Sequence, residues 1–149
     1  VLSLNEEKNP FAVTLHLIPR IVSLGIGCKK GTPQETVEQE VLKALQSCHV
    51  SIHSIFAAAS IDLKKEEEGL LSYAAKWKLP FYTFSAEELG KVKCVSSHSE
   101  FVRKVTGVDN VCERAAILAA GEDSRLLMPK QCMNRVTIAV AEKKVRIRI

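Results

Sequence analysis

Short apolar runs that are typical of buried strands alternate with helix-like segments along the first half of the chain. The runs cover residues 21–26, 52–61 and 79–84, and helical patterns lie at 33–45 and 64–78. Each such helix crosses over a sheet before the next strand begins, so successive strands lie parallel. This order predicts an α/β domain.

The second half of the chain adds two helical patterns and two strand-like runs. The helices are predicted at 99–105 and 110–120, and the strands at 125–130 and 136–149. The last run ends by alternating apolar residues with the charged residues Lys144, Arg146 and Arg148. Such charge is typical of an edge strand protected against aggregation. The segments predict a three-layer α/β/α sandwich with a mainly parallel, mixed sheet of about five strands.

Two helix starts have capping signatures. Thr32 precedes Pro33 and Glu35 follows, so we expect Thr32 to cap the first helix with Pro33 at its first position. Ser85 and Glu88 form a second capping box, which opens a short helix. Apolar spacing predicts the buried faces of the first two helices at Val37, Val41, Leu42 and Leu45, and at Leu70, Leu71, Ala74, Ala75 and Trp77.

Length and composition favour one soluble domain. The chain has 149 residues, 46% of them apolar, which suits a single core. No apolar run approaches the roughly 18 residues of a membrane span, and no secretory signal opens the chain, so a cytoplasmic location is expected. The chain begins with Val1 and has no firm periodicity before residue 20. We interpret residues 1–20 as a linker or the tail of a preceding domain, and 21–149 as the domain itself.

Charge and cysteine usage narrow the possible ligands. The net charge of +4 and an aromatic content of only 5% suit a small anion better than nucleic acid. The five cysteines and four histidines are scattered without a C-x-x-C pair, so neither a disulfide framework nor a metal site is expected. No pattern indicates a nucleophile–base pair or paired carboxylates. Catalytic residues are therefore left unassigned, and no cofactor is expected.

The turn after the first strand combines glycines with positive charge. Gly25, Gly27 and Gly31 surround Lys29 and Lys30. Gly27 and Gly31 are expected to adopt positive φ and let a ligand approach the backbone, while the following helix start supplies free N–H groups. The spacing fits neither the dinucleotide fingerprint nor the phosphate loop. An anion cradle is predicted, with a tight turn bearing solvated lysines as the alternative.

Other residues are expected at the same edge, beyond the carboxyl ends of the strands. Asp62 and Lys64 follow the second strand, Ser85 follows the third, and Lys130 ends a later one. Asp62 and Ser85 also fit helix caps. Nearby lysines would lower the pKa of Cys28, although a buried bystander is the better interpretation. The predicted substrate-binding set is Gly25, Gly27, Cys28, Lys29, Lys30, Gly31, Thr32, Asp62, Lys64, Ser85 and Lys130.

Five ordered motifs resemble one family. They are GIGCKKGT at 25–32, ASIDLK at 59–64, FSAEEL at 84–89, VTGVDNVCERAA at 105–116, and PK followed by VTIAVAE at 136–142. These are similar to the carboxy-terminal domain of cobalt-precorrin-5A hydrolases (the CbiG type) and to the stand-alone CobE proteins. Relatives often have a glycine-bearing turn after the Pro-Lys pair, where this chain has residues 131–135 without glycine.

The resemblance implies a role in the anaerobic, cobalt-early branch of cobalamin biosynthesis. Enzymes of this type open the δ-lactone of cobalt-precorrin-5A and release acetaldehyde, which gives cobalt-precorrin-5B. The implied partners are a cobalt-precorrin or other corrinoid intermediate and the amino-terminal domains of the same full-length protein. The alternatives are a non-enzymatic corrinoid-binding or carrier module and, third, a site for an unrelated small anion.

Overall fold

A computed structural model describes residues 17–92, 111–121 and 123–144. The five strands of this part of the chain are β1 Val22–Cys28, β2 Ile55–Ile61, β3 Phe81–Phe84, β4 Arg125–Met133 and β5 Val136–Glu142. The α-helices described are α1 Gln34–Ser47, α2 Glu68–Lys76, α3 Ala86–Gly90 and α4 Val111–Ala120. Short 3-10 turns, Ile52–Ser54 and Asp62–Lys64, precede and follow β2.

The strands form one mixed sheet in the order β3-β2-β1-β5-β4. β2 pairs with β1 and β3 in parallel, whereas β5 pairs with β1 and β4 antiparallel. β1, β2, β3 and β4 therefore all end at the same side of the sheet, which we call the strand-end edge. The predicted five-stranded α/β sandwich is confirmed, with as many antiparallel as parallel pairings.

One face of the sheet packs against α1 and α2. Alternate β1 residues point to this face, where Val22, Leu24 and Ile26 join the buried stripe Val37, Val41 and Leu45 of α1. From α2, Leu70, Tyr73 and Ala74 complete this core. The predicted positions Leu42 and Leu71 are wrong, since they are 51% and 40% exposed, as is Ala75, also exposed. Each helix is instead turned so that its buried stripe includes residues that the apolar spacing left out: Glu40 and Ala44 in α1, and Gly69 and Tyr73 in α2.

The other face packs against α4 through small residues. Ser23 of β1 donates a buried hydrogen bond from its Oγ to the carbonyl oxygen of Ala116, at 2.7 Å. Gly25 lies beside Ser23 in the same contact, because a Cβ built there would stand 1.7 Å from the carbonyl oxygen of Cys112. Ala115 and Ala116 present little side chain in return and are fully buried. Small residues on both elements thus allow the helix backbone to approach the strand.

Of the two predicted helix caps, the one at α3 is confirmed and the one at α1 is wrong. Thr32 does not cap α1: the cap residue is Pro33, which makes no side-chain cap bond. Ser85 caps α3 in the predicted box, accepting from the Glu88 N–H while the Glu88 carboxylate accepts from the Ser85 N–H. Gly121 follows the end of α4 with φ +94°, as expected of a C-terminal glycine.

The predicted helix at 99–105 and the charged alternation at 145–149 lie outside the described residues, and so does most of the predicted linker 1–20. The linker and the cytoplasmic location stay predictions. Among the helices that are described, none combines the length and apolar character needed to cross a membrane.

Candidate functional site

The loop between β1 and α1, residues 29–33, is held between two other segments of the strand-end edge. On one side, the Lys29 N–H donates to the Arg135 carbonyl oxygen at 2.9 Å, and Arg135 Nη2 donates to the Lys30 carbonyl oxygen at 3.0 Å. On the other side, the Gly31 N–H donates to Glu67 Oε1 at 2.9 Å. The β1–α1 loop, the β4–β5 turn and the segment after β2 therefore form one continuous rim, which we call the basic rim.

Four positive side chains lie on the basic rim. Lys29, Lys30 and Arg135 are exposed, and Lys64 is half-buried. The Lys64 charge reaches the Cys28 thiol at the end of β1. Within the described part of the chain, the salt bridges formed involve neither these three lysines nor Arg135. Their charge is consequently available to an anion from solution.

Three residues of the predicted set lie elsewhere or in another conformation. Gly25 is a strand residue buried beneath α4, so it cannot touch a ligand at the loop. Gly27 is also a strand residue, and its φ is not positive; in this loop only Gly31 has that conformation, with φ +80°. Lys130 lies inside β4 rather than at its end, because the strand continues to Met133. Arg135 takes the rim position expected for Lys130.

The polar residues of the set are mainly engaged within the chain. Thr32 is 2% exposed, and its hydroxyl donates to the Lys29 carbonyl oxygen at 2.6 Å. Ser85 serves its capping box. Asp62 begins a 3-10 turn and is exposed. Thr32 therefore shapes the basic rim and Ser85 the start of α3, whereas Asp62 places a negative charge near Lys64.

The structure contradicts a lowered pKa for Cys28 and agrees with its interpretation as a buried bystander. Burial raises the pKa of the Cys28 thiol above its ordinary value, and the Glu67 carboxylate raises it further. Lys64, the Thr32 hydroxyl and Arg135 act in the opposite direction but do not compensate. Burial also raises the pKa of Cys112 to about 12. Both thiols remain protonated at neutral pH, so neither is an activated nucleophile.

Thiol alkylation should follow this difference in environment. Because the thiolate is the reacting form, we expect iodoacetamide at pH 8 to modify the exposed Cys132 well before Cys28 or Cys112. Peptide mass spectrometry after timed quenching measures the order, and labelling in denaturant gives the control in which all sites react. Equal rates for Cys28 and Cys132 in the folded protein would contradict the burial described here.

Glu67 and Arg135 are rim residues that the sequence did not single out. Glu67 lies in a run of three glutamates that fits a helix start, and nothing in the run shows which one reaches the Gly31 amide. Arg135 had a usable signal: Asn134 and Arg135 stand between two strand-like runs, as in a two-residue hairpin turn. Their φ angles, 48° and 71°, are those of such a turn.

The fold and this edge define an α/β domain in which several loops bring positive charge to the ends of the strands. Residues 22–141 match the family described as "Cobalamin synthesis G C-terminus". The chain belongs to this family, as its motifs suggested.

Relatives and a solved structure agree with this assignment. The chain is 38% identical over 123 residues to the cobalt-precorrin-5A hydrolase of Priestia megaterium, covering 83% of this chain and 32% of that protein. It is 31% identical over 119 residues to Protein CobE of a Sinorhizobium species, covering 79% and 77% respectively. The crystal structure of a CobE from the cobalamin pathway superposes with a TM-score of 0.79 at 28% identity, covering 87% of this chain and 95% of that one.

The chain spans less than half of the matched hydrolases, 32% of the one above and 44% of a probable cobalt-precorrin-5A hydrolase from Methanocaldococcus jannaschii. No name among these relatives supports the alternative of a non-enzymatic corrinoid-binding or carrier module.

Proposed function

We propose that this domain binds carboxylates of cobalt-precorrin-5A within a full-length cobalt-precorrin-5A hydrolase. That enzyme opens the δ-lactone of its substrate and releases acetaldehyde. The amino-terminal part of the full-length protein supplies the functional groups for this reaction that the domain lacks. The observation that carries the proposal is the basic rim, present in a chain whose relatives bear the hydrolase name. A cobalt-precorrin has many acetate and propionate side chains, so its charge is complementary to such a rim.

The strength of the rim lies in the number of its charges. A single exposed ion pair contributes about 0–1 kcal/mol, so no one lysine fixes a ligand. Lys29, Lys30, Lys64 and Arg135 together can pair with several carboxylates of one macrocycle. Each further pair then forms between groups already held close together, which raises the overall affinity.

Glu67 opposes binding at the same rim. Its carboxylate accepts the Gly31 N–H, so this amide is not free for a substrate carboxylate as the cradle interpretation expected. The negative charge of Glu67 also repels any substrate carboxylate that approaches this part of the rim. The side-chain charges of the lysines and Arg135, rather than the loop amides, therefore provide the attraction.

Binding by the domain is tested with a pair of corrinoids. Cobyrinic acid has carboxylate side chains, whereas in cobinamide they are amides, and absorbance titration follows both. We expect Lys29→Gln with Lys30→Gln to weaken cobyrinic acid binding about tenfold, the sum of two modest ion pairs. Glu67→Gln should strengthen it. Lys144→Gln is the matched control, because Lys144 is exposed and follows β5 at the opposite edge of the sheet.

The same variants in the full-length protein test the reaction. With cobalt-precorrin-5A as substrate, wild type should release acetaldehyde. The double lysine variant should show a raised KM with kcat nearly unchanged, since it loses binding that the ground state and the transition state share. No acetaldehyde from the wild-type protein overturns the hydrolase assignment. Equal Kd values for cobyrinic acid in wild type and the double variant overturn the role of the basic rim.

A further inference from the structure

A buried carboxylate on α1 contacts the turn that supports the basic rim. Glu40 is 3% exposed, and its Oε1 accepts hydrogen bonds from Asn134 Nδ2 at 2.7 Å and from Lys43 Nζ at 3.1 Å. Its other oxygen, Oε2, is buried and accepts no hydrogen bond from the described residues. Burying a carboxylate charge costs free energy unless the charge is paired. The hydrogen bonds from Asn134 and Lys43 provide this pairing, so Glu40 can be buried. Together they hold the pKa of Glu40 below its ordinary value, the Asn134 hydrogen bond contributing most.

The turn that Glu40 holds is in an unfavourable conformation. Asn134 and Arg135 both have positive φ, as a two-residue hairpin turn of this type requires. Asparagine tolerates this region, but arginine carries a Cβ that makes it costly. The turn therefore depends on contacts outside itself, and the contact of the Asn134 side chain with Glu40 is one of them.

The Asn134–Arg135 turn also holds the β1–α1 loop, at the successive residues Lys29 and Lys30. The Arg135 carbonyl oxygen accepts from the Lys29 N–H, and its guanidinium donates to the Lys30 carbonyl oxygen. These are the residues whose ammonium groups form one side of the basic rim. A continuous set of hydrogen bonds thus runs from Glu40 through Asn134 and Arg135 to the loop.

We propose that Glu40 is a positioning residue for corrinoid binding: it fixes the Asn134–Arg135 turn, which places Lys29 and Lys30 for the substrate. The effect on binding rests on the function proposed above, whereas the effect on the loop does not. A merely structural clamp between α1 and the hairpin would change global stability and leave the loop as it is.

Four substitutions separate these cases. Glu40→Leu removes the acceptor while keeping an apolar side chain in the buried space, and Asn134→Gly removes the donor at a position where glycine accepts positive φ. Glu40→Gln keeps an oxygen that can accept from Asn134 but loses the charge, so its effect should lie between those of wild type and Glu40→Leu. Lys43→Met removes the other partner of Glu40 without touching the turn, and is the matched control.

Two measurements are made on every variant: amide hydrogen exchange of Lys29 by NMR, and Kd for cobyrinic acid. We expect Glu40→Leu and Asn134→Gly each to speed Lys29 exchange and to weaken binding about tenfold, as for the loss of one charge-assisted hydrogen bond. The double variant should be no worse than either single one, because both remove the same contact. Lys43→Met should leave both values near wild type, and Glu40→Gln should give values between those of wild type and Glu40→Leu.

Unchanged Lys29 exchange in folded Glu40→Leu and Asn134→Gly overturns the inference. Should Glu40→Leu fail to fold, Asn134→Gly at its exposed turn position decides alone. If Lys29 exchange responds as expected while wild type binds no cobyrinic acid, the hydrogen-bond relay is supported and the proposed function is what fails. Unchanged Kd together with faster exchange overturns the positioning role in binding.

Discussion

Replacing Gly25 with alanine is expected to lower the midpoint of thermal unfolding by about 9 °C. The new Cβ would lie 1.7 Å from the carbonyl oxygen of Cys112 and 3.0 Å from the amide nitrogen of Ala116. Both atoms are helix backbone, so α4 as a whole must move away from β1. Overpacking of this kind costs about 3 kcal/mol at the upper end of the usual range, and each kcal/mol shifts the midpoint of a chain of this size by about 3 °C.

Gly90→Ala is the matched control for this experiment. Gly90 ends α3, and a Cβ there meets no atom within 4 Å, so alanine should be neutral or stabilising by up to about 1 kcal/mol through its helix propensity. Circular dichroism melts of wild type and both variants give the comparison. A Gly25→Ala protein that melts within about 2 °C of wild type would show that α4 does not lie this close to β1.

Gly25 shows what the sequence could and could not predict. Alternating strand and helix patterns were enough for the layers and the number of strands, because hydrophobic periodicity is a local signal. A glycine near a strand end has two physical meanings, a ligand approaching the backbone or another element packing on it. Only the tertiary position of α4 decides between them, and for Gly25 it is packing.

The basic rim was predictable in part. Parallel β1 and β2 place their following loops at one edge, so Lys29, Lys30 and Lys64 could be grouped from the order of elements. The position of Lys130 was wrong because β4 extends beyond Pro129 to Met133, and strand ends are not set by local sequence alone. Glu67 was missed because its role is a contact with Gly31, 36 positions away along the chain.

Electrostatics at the end of β1 show a further limit. Neighbouring lysines in the sequence predicted a lowered pKa for Cys28, yet Lys29 and Lys30 are not among the groups that determine it. Burial and Glu67 dominate, and both depend on how α2 and the segment after β2 pack against the loop. A sequence neighbour is therefore a poor guide to the charge that a side chain experiences.

Replacing Gly69 with alanine is expected to destabilise the protein by about 2 kcal/mol and to loosen the basic rim at the same time. The new Cβ would lie 2.2 Å from the Thr32 carbonyl oxygen and 3.6 Å from the Gln34 amide nitrogen, so the first turn of α2 must retreat from the loop. Alanine gains about 1 kcal/mol of helix propensity, but overlap with backbone costs up to about 3 kcal/mol and exceeds it.

The retreat of α2 separates this variant from an ordinary packing defect. Glu67 immediately precedes α2 and accepts the Gly31 N–H, so Gly69→Ala should break that hydrogen bond and speed exchange of the Gly31 amide more than exchange in the β1–β5 ladder. Urea unfolding gives the stability, NMR exchange gives the local effect, and Ser72→Ala in the same helix controls for propensity. If α2 and the β1–α1 loop make this close contact, the shift is confined to their junction and the exchange rate of the Gly31 amide must rise most. An equal rise in exchange rate across the whole sheet would therefore mean that they do not make it.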